Sequence, residues 1–176
     1  MSFTDADLIA RVLLREDQQA FGELVRRYQS PVRSFLVKMT GGDAHLADDL
    51  AQETFMKAWK KLGSFRSEAR VSTWLFGIAC NEWRMHARKR KEISLEELAD
   101  MLPEPEQASA AAASQLHMDL VEAMKSLTTG ERAAILLCCQ NGLSHEEAAR
   151  ALDCPLGTVK TNVLRGKEKL RRRLAI

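Results

Sequence analysis

The segment 143–173 places polar and basic side chains at a spacing suited to contact with duplex DNA. Ser144 and Glu147 have the spacing of a capping box, and Ala148 and Leu152 give the short helix after them one apolar face. Pro155 is acceptable in the first turn of a second helix. A short helix, a tight turn and a polar helix form a helix-turn-helix, which places its second helix in the major groove. Six side chains of that helix are predicted to face outward: Thr158, Lys160, Thr161, Asn162, Arg165 and Lys167.

A second polar and basic stripe is predicted on a helix from about Ser72 to Lys91. Asn81, Arg84 and Arg88 recur at three- and four-residue intervals, and Trp83 lies among them. Cations beside an amide and an aromatic ring suit phosphate contact and base stacking, as single-stranded DNA requires. The preceding loop has an aromatic ring and polar groups that could hold a flipped base: Phe65, Arg66, Ser67 and Glu68.

Aromatic residues elsewhere have a simpler interpretation. A tryptophan is more often a core residue than a stacking platform, and Trp59 and Trp74 are expected in the core.

The predicted helix from Asp43 to Leu62 carries polar groups opposite its apolar stripe. For Asp48 and Asp49 two interpretations have equal weight. They could stabilise the positive helix N-terminus, by about a few tenths of a kcal/mol, or belong to a protein-binding face. The rest of that side is polar, apart from one methionine: Gln52, Glu53, Met56, Lys57 and Lys60.

Composition restricts the class of protein. The 176 residues are 45% hydrophobic and 28% charged, which indicates a globular chain. No apolar run is long enough to span a bilayer, and the first residues lack a signal-peptide layout, so a cytoplasmic protein without membrane insertion is expected. Four cysteines and four histidines show no metal-ligand spacing. We therefore predict buried thiols rather than a metal or redox site, no cofactor, and, without a convergent nucleophile or acid–base pair, no enzyme.

The charge distribution is more informative than the net charge of +2. The stretch 92–124 contains no lysine or arginine and eight acidic residues, and a basic cluster lies on each side of it. Two basic surfaces joined by an acidic connector indicate two separate contacts with a polyanion. The first cluster is Arg84, Arg88, Lys89, Arg90 and Lys91; the second is Lys160, Arg165, Lys167, Lys169, Arg171, Arg172 and Arg173.

Helical periodicity predicts an all-α protein of two small helical domains joined by a flexible acidic linker, the second containing the helix-turn-helix. The domains are expected at 1–93 and 115–176, with 94–114 as linker, where Pro103 and Pro105 precede an Ala/Ser run. Helices are predicted after Thr4 and over 18–40, 43–63, 72–91, 94–101, 115–126 and 129–140, followed by the pair in the helix-turn-helix. Thr4 and Asp43 are predicted caps, Thr128 and Glu131 have capping-box spacing, and Gly142 can end a helix in the left-handed conformation. The apolar stripes of the first and last helices are expected to include Leu13 and Leu164.

In this arrangement the chain resembles the extracytoplasmic-function group of bacterial sigma factors, the small initiation subunits of RNA polymerase. The stretch 20–28 is similar to their opening helix, and 47–59 to the helix that docks on the polymerase clamp. The stretch 72–81, with the basic run after it, is similar to their −10 element. The stretch 142–171 is similar to their −35 reader.

The resemblance implies a non-enzymatic sigma factor that directs core RNA polymerase to promoters. It further implies control by an anti-sigma factor, and any retention at the inner membrane would occur through that factor. A stress- or envelope-responsive regulon and a linker near the RNA exit path are also implied. Polymerase contacts are expected at Asp48, Asp49, Gln52, Glu53 and Met56. Contacts with single-stranded −10 DNA are expected at Phe65, Arg66, Ser67, Asn81, Arg84, Arg88 and Lys89. Contacts with the −35 duplex are expected at Ser144, Thr158, Lys160, Thr161, Asn162, Arg165 and Lys167.

Three residues depart from the family pattern. Cys80 lies where a basic residue is common, and Met85 where a short polar residue is common. Asn162 lies where arginine is common, which could exchange a phosphate or guanine contact for amide readout of adenine. These departures affect the promoter sequence that is recognised, not the class of protein.

Two other classes of protein would share parts of this pattern. A conventional regulator would bind a duplex operator through 143–173 alone, but it leaves 47–59 and the stripe from Asn81 to Lys91 without a role. A decoy that imitates a sigma factor would be expected to lack the basic residues, and both clusters are present.

Overall fold

The structure is a computed structural model that describes residues 3–66, 69–97, 120 and 122–174. The secondary structure of these residues is helical, without strands, as the sequence predicts. No helix in these ranges is long and apolar enough to cross a membrane.

The amino-terminal domain contains four helices whose starts are set by local capping. Helix α1 spans Asp5–Arg15, α2 spans Gln18–Met39 and α3 spans Ala44–Lys61. Thr4, Asp17 and Asp43 cap them, each side chain accepting from a backbone N–H three residues later. A 3₁₀ turn at Leu62–Ser64 follows α3, and α4 spans Val71–Glu97. The caps predicted at Thr4 and Asp43 are confirmed.

The core of this domain is built from one apolar stripe on each helix. Phe35 of α2 and Phe76 of α4 meet edge to face with ring centroids 5.4 Å apart. Along α3 the buried positions are Ala47, Leu50, Thr54 and Ala58, at intervals of three and four. Trp59, one position further round the helix, is 37% exposed and only its edge contacts Phe21, so the expectation that it is a core residue was wrong.

The carboxy-terminal domain contains the helix-turn-helix. After a helical segment at 122–125, α5 spans Thr129–Ile135 and continues as a π-helical turn at Leu136–Gln140. Helix α6 spans His145–Leu152 and α7 spans Leu156–Leu174. Capping boxes at Thr128–Glu131 and Ser144–Glu147 are both formed, as predicted. Gly142 has φ +68°, the left-handed conformation expected after a helix end.

Several expected features differ in the structure. Helix α4 continues through Ser94 to Glu97, so no separate helix begins at Ser94; residues 98–114 lie outside the described part of the chain. Leu13 is 48% exposed and Leu164 is 61% exposed, because Leu8, Ile9 and Val12, and Val159 and Val163, complete the buried stripes without them. Cys80 is buried as expected, whereas Cys139 is exposed.

The two domains contact each other in this structure. Helix α4 packs on α6, where a Cβ added at Gly77 would lie at an ordinary contact distance, 3.6 Å, from Ala151 Cα. Arg70 Nε lies 3.4 Å from Glu147 Oε1. At a second place Gln140 donates to Ser34 Oγ at 3.1 Å and accepts from Lys38. The helix-turn-helix is therefore held against the helix that carries the first basic stripe.

Candidate nucleic-acid and protein interfaces

A groove of about 740 Å³ lies between α2 and α3. Its apolar side chains leave a hydrophobic strip open to solvent, and Met56 is 45% exposed there. A groove with an apolar floor and a polar rim is typical of a surface that binds a partner helix. The apolar lining is Phe21, Val25, Phe55, Met56 and Trp59; the polar lining includes Gln29, Arg33, Asp48, Gln52 and Lys60.

Three of the five predicted protein-binding residues line this groove: Asp48, Gln52 and Met56. Arg33 of α2 donates to both carboxylate oxygens of Asp48, at 2.5 and 3.1 Å. These hydrogen bonds lower the pKa of Asp48 below its ordinary value. The partner of Asp48 is thus the guanidinium of Arg33 on the neighbouring helix α2, a pairing that sequence spacing does not reveal. Asp49 and Glu53 are exposed on α3 outside the groove lining.

Lys57 was grouped with the polar side of α3, and the structure gives it a buried partner. Its ammonium lies 2.5 Å from Glu82 Oε2 on α4, and Glu82 is 6% exposed. The other oxygen of Glu82 has no hydrogen-bond partner among the described residues. Because a buried carboxylate needs its cation, this pair holds α3 and α4 in fixed register.

The predicted single-strand stripe lies on α4. Asn81, Arg88 and Lys89 are exposed, and Met85 is 51% exposed beside them. Asn81 Nδ2 lies 3.6 Å from Met85 Sδ. Trp83, expected on this face, is only half-exposed and packs against the core.

Arg84 is turned away from solvent towards the carboxy-terminal domain. It is half-buried, and its Nη2 donates to the carbonyl oxygen of Leu152 at the end of α6. The expected outward direction of Arg84 is therefore wrong for this arrangement, because the packing of α6 against α4 supplies an acceptor. Cys80 lies one turn earlier, where burial raises the pKa of its thiol to about 12.

The loop before α4 is described in part. The Phe65 ring packs against Trp74 with centroids 5.2 Å apart, and both are half-buried. Arg66 is exposed, whereas Ser67 and Glu68 lie outside the described residues. A platform of two aromatic rings next to an exposed cation is compatible with a base-binding loop.

The second helix of the helix-turn-helix presents most of the predicted DNA contacts. Helix α7 leaves five of them exposed: Thr158, Lys160, Thr161, Arg165 and Lys167. The sharp turn before it has Asp153 at φ 48°, a left-handed conformation. The triple arginine near its end, 171–173, is also exposed. Exposed cations thus extend along the length of the helix.

One predicted contact of this module differs. Asn162 is half-buried, and its amide nitrogen lies 3.0 Å from the position a Cβ would take at Gly130, so it faces α5 rather than outward. Ser144 is exposed, and its hydroxyl accepts from the Glu147 N–H at 3.1 Å, the capping role expected from the sequence. Its contact with the −35 duplex stays a prediction.

Lys169, in the second basic cluster, also has its side chain bound within the fold. Its ammonium donates to Glu131 Oε2 at 2.7 Å, and the Thr128 N–H donates to the same oxygen at 2.9 Å. Burial raises the pKa of Glu131, but these hydrogen bonds outweigh it and leave the pKa below its ordinary value. Glu131 therefore serves at once as capping residue and as counter-charge.

No group of three or more potential metal ligands lies together in the described part of the chain. Comparison with protein families then gives two matches. Residues 24–93 match the model for Sigma-70 region 2, and residues 117–170 match the model for Sigma-70, region 4. These ranges contain most of the groove, the α4 stripe and most of the helix-turn-helix.

Curated relatives are similar over almost the full length. The RNA polymerase sigma-H factor of Pseudomonas aeruginosa is 33% identical over an alignment of 181 residues, gaps included, that covers 94% of this chain and 91% of the relative. The ECF RNA polymerase sigma-E factor of Escherichia coli is 34% identical over 180 residues, covering 95% and 92%.

Two solved structures share the arrangement of helices. One is the sigma factor RpoE in complex with the anti-sigma factor NepR from Bartonella quintana (TM-score 0.77, 29% identity, 89% of this chain and 97% of that chain). The other is CnrH in complex with the cytosolic domain of CnrY (TM-score 0.72, 27% identity, 97% of each chain).

Proposed function

Because the chain belongs to the extracytoplasmic-function family of bacterial sigma factors, which direct core RNA polymerase to promoters, we propose a division of that task between its two domains. The amino-terminal domain docks on the polymerase and holds the melted −10 strand, and the carboxy-terminal domain binds the −35 duplex. The observation that carries the proposal is that each family region brings its own exposed polar or basic surface: α3 and α4 in the first, α7 in the second.

The α2–α3 groove is the proposed polymerase site. Burial of its apolar lining, Met56 and Trp59 above all, would supply affinity. Asp49 and Glu53, exposed beside the groove, would orient the partner and accelerate association by charge complementarity. Asp48 and Gln52 lie at the rim, where a partner can contact them without disrupting the core.

The α4 stripe is the proposed −10 site. Arg88, Lys89 and Arg66 would contact phosphates, and Asn81 and Phe65 would contact bases. Arg84 becomes available to DNA only when it releases the Leu152 carbonyl. Ser67 keeps its predicted role here on the basis of sequence.

Helix α7 is the proposed −35 site. Lys160, Arg165 and Lys167, with the arginines at 171–173, would neutralise phosphates, so binding should weaken steeply with salt. Thr158 and Thr161 are exposed on the same helix and suit contacts with base edges or phosphates. Ser144 would act by capping α6, and Asn162 by packing on α5.

Regulation is proposed from the same relatives. RpoE was solved with the anti-sigma factor NepR and CnrH with the cytosolic domain of CnrY, and this chain is proposed to bind an anti-sigma factor as well. The chain would then act in the cytoplasm, at the inner membrane only through that partner. Bond formation in transcription would be the work of the polymerase alone.

Run-off transcription tests the proposal. Core RNA polymerase is incubated with sheared DNA of the source genome, with and without the protein, and transcript starts are mapped. We expect discrete transcripts that require the protein and share −35 and −10 sequences. The Arg165→Ala variant, a control for the duplex contact, should lower all of them. Absence of transcripts together with absence of binding to core would instead favour a conventional duplex-binding regulator.

A further inference from the structure

Met85 is an exposed apolar side chain in the middle of a polar and basic surface. It is 51% exposed on α4, more than Met56 or Trp59, which border the α2–α3 groove. Met85 does not line that groove. A partner that covers its thioether would therefore have to differ from one that binds in the groove.

The neighbours of Met85 indicate the chemistry of that partner. Asn81, one turn before it, places its amide nitrogen 3.6 Å from the sulfur. Arg88 and Lys89, three and four residues after it, are exposed on the same helix. Cations flanking an apolar group suit a polyanion whose charged backbone contacts the cations while an apolar surface covers the thioether. The flat faces of unpaired bases provide such a surface.

The helix beneath Met85 is held rigidly. Cys80 is 3% exposed, and Glu82 is buried in its ion pair with Lys57 of α3. Phe76, nearer the start of α4, packs on Phe35 of α2. A side chain on a helix supported in this way can keep its position when neighbouring bases tend to restack. A side chain on a mobile loop is less able to do so.

We propose that Met85 acts as an apolar wedge at the edge of the melted −10 segment, inserting beside an unpaired base and keeping it from restacking. This inference rests on the proposed −10 role of the α4 stripe. Methionine suits the task because it is unbranched and polarizable, and methionine is among the side chains that enter base steps and unstack them. Met85 would thus determine how easily the promoter opens rather than which duplex is bound.

The test compares two promoters in complete holoenzyme. One promoter is fully paired; the other has a mismatched, permanently open −10 segment. Opening is followed by 2-aminopurine fluorescence in the non-template −10 strand, and output by run-off transcription. The variants are Met85→Ala, Met85→Leu and, as a matched loss of an exposed apolar side chain away from the stripe, Leu14→Ala, since Leu14 is 83% exposed on α1.

We expect Met85→Ala to lower opening of the paired promoter by about tenfold. On the promoter that is already open, transcription by this variant should be within about twofold of wild type. Met85→Leu and Leu14→Ala should remain near wild type on both.

An equal loss on both promoters, a loss of binding to core, or no loss at all would overturn the wedge. Inactivity of the wild-type holoenzyme on both promoters would overturn the proposed function itself.

Discussion

At the scale of single residues, folding decides which charges remain free for a partner. Arg84 donates to a carbonyl, Lys169 to a buried carboxylate and Lys57 to another, although all three belong to polar or basic runs in the sequence. Asp49 and Arg165 remain exposed. The surface available to polymerase and DNA is therefore narrower than the charge pattern alone indicates.

Charge reversal at Asp49 should weaken binding to core polymerase. Asp49→Lys removes a favourable charge beside the groove and adds a repulsive one, which we expect to lower affinity by about tenfold, mainly through slower association. Fluorescence anisotropy at two salt concentrations measures this effect, with far-UV circular dichroism to verify helicity. Glu122→Lys, an exposed reversal in the other domain, should leave core binding unchanged. Equal affinities for Asp49→Lys and wild type would remove Asp49 from the interface.

The four thiols should differ in reactivity. Burial raises the pKa of Cys80 to about 12 and that of Cys138 to about 11, so at pH 8 both are almost entirely protonated and unreactive. Cys139 is exposed. In an iodoacetamide time course analysed by mass spectrometry, Cys139 should be modified first and Cys80 only after denaturation. Comparable native rates at Cys80 and Cys139 would contradict the described packing of α4.

At the scale of elements, close helix crossings depend on residues without side chains. Helix α7 passes α5 at Gly166, where an added Cβ would lie 2.8 Å from Ile135 Cγ1. Helix α4 passes α6 at Gly77, where the nearest atom would be at 3.6 Å, an ordinary contact distance. The first glycine is required by packing, whereas the second leaves room for a methyl group.

The same substitution should therefore have opposite effects at these two positions. Gly77→Ala should stabilise the chain by up to about 1 kcal/mol, because alanine favours helix and fits the space. Gly166→Ala gains the same propensity but overpacks a buried isoleucine, with a penalty of about 1–3 kcal/mol, so we expect net destabilisation. Urea unfolding followed by circular dichroism measures both. Equal changes in the two variants would show that crossing distance does not govern these sites.

At the scale of the whole molecule, the two proposed DNA surfaces are coupled by the contact between the domains. The carbonyl oxygen of Leu152 accepts a hydrogen bond from the Arg84 guanidinium, and Ala151 packs on α4. Turning the Arg84 guanidinium outward to DNA would break its hydrogen bond to the end of α6. We therefore expect the contact between the domains and the −10 contact of Arg84 to weaken each other.

A buried charge at this contact should separate the domains. Ala151 is 5% exposed, so Ala151→Lys would bury an ammonium against α4 unless the domains part. A compact chain of 176 residues has a radius of gyration of about 16 Å, and we expect a clearly larger value for the variant by small-angle X-ray scattering. Thr161→Lys, an exposed addition of the same charge, should not change it. An unchanged radius for Ala151→Lys with native helicity would contradict the described contact between the domains, on which the coupling depends.

The sequence by itself determined the helices and the order of the surfaces. Thr4, Asp43, Thr128 and Ser144 cap their helices as predicted, since a cap depends on atoms within four residues. Helical periodicity likewise predicted five of the exposed side chains of α7, including Arg165, although not the orientation of Asn162.

Only the tertiary structure decided which of the predicted surface or core residues form contacts within the fold. Asn162 faces Gly130, Lys169 binds Glu131, Arg84 binds Leu152 and the exposed Trp59 rests on Phe21. Each contact joins residues more than thirty positions apart, and local propensity carries no information about such pairs. They are set by how the helices cross, and crossing geometry is a property of the packed chain.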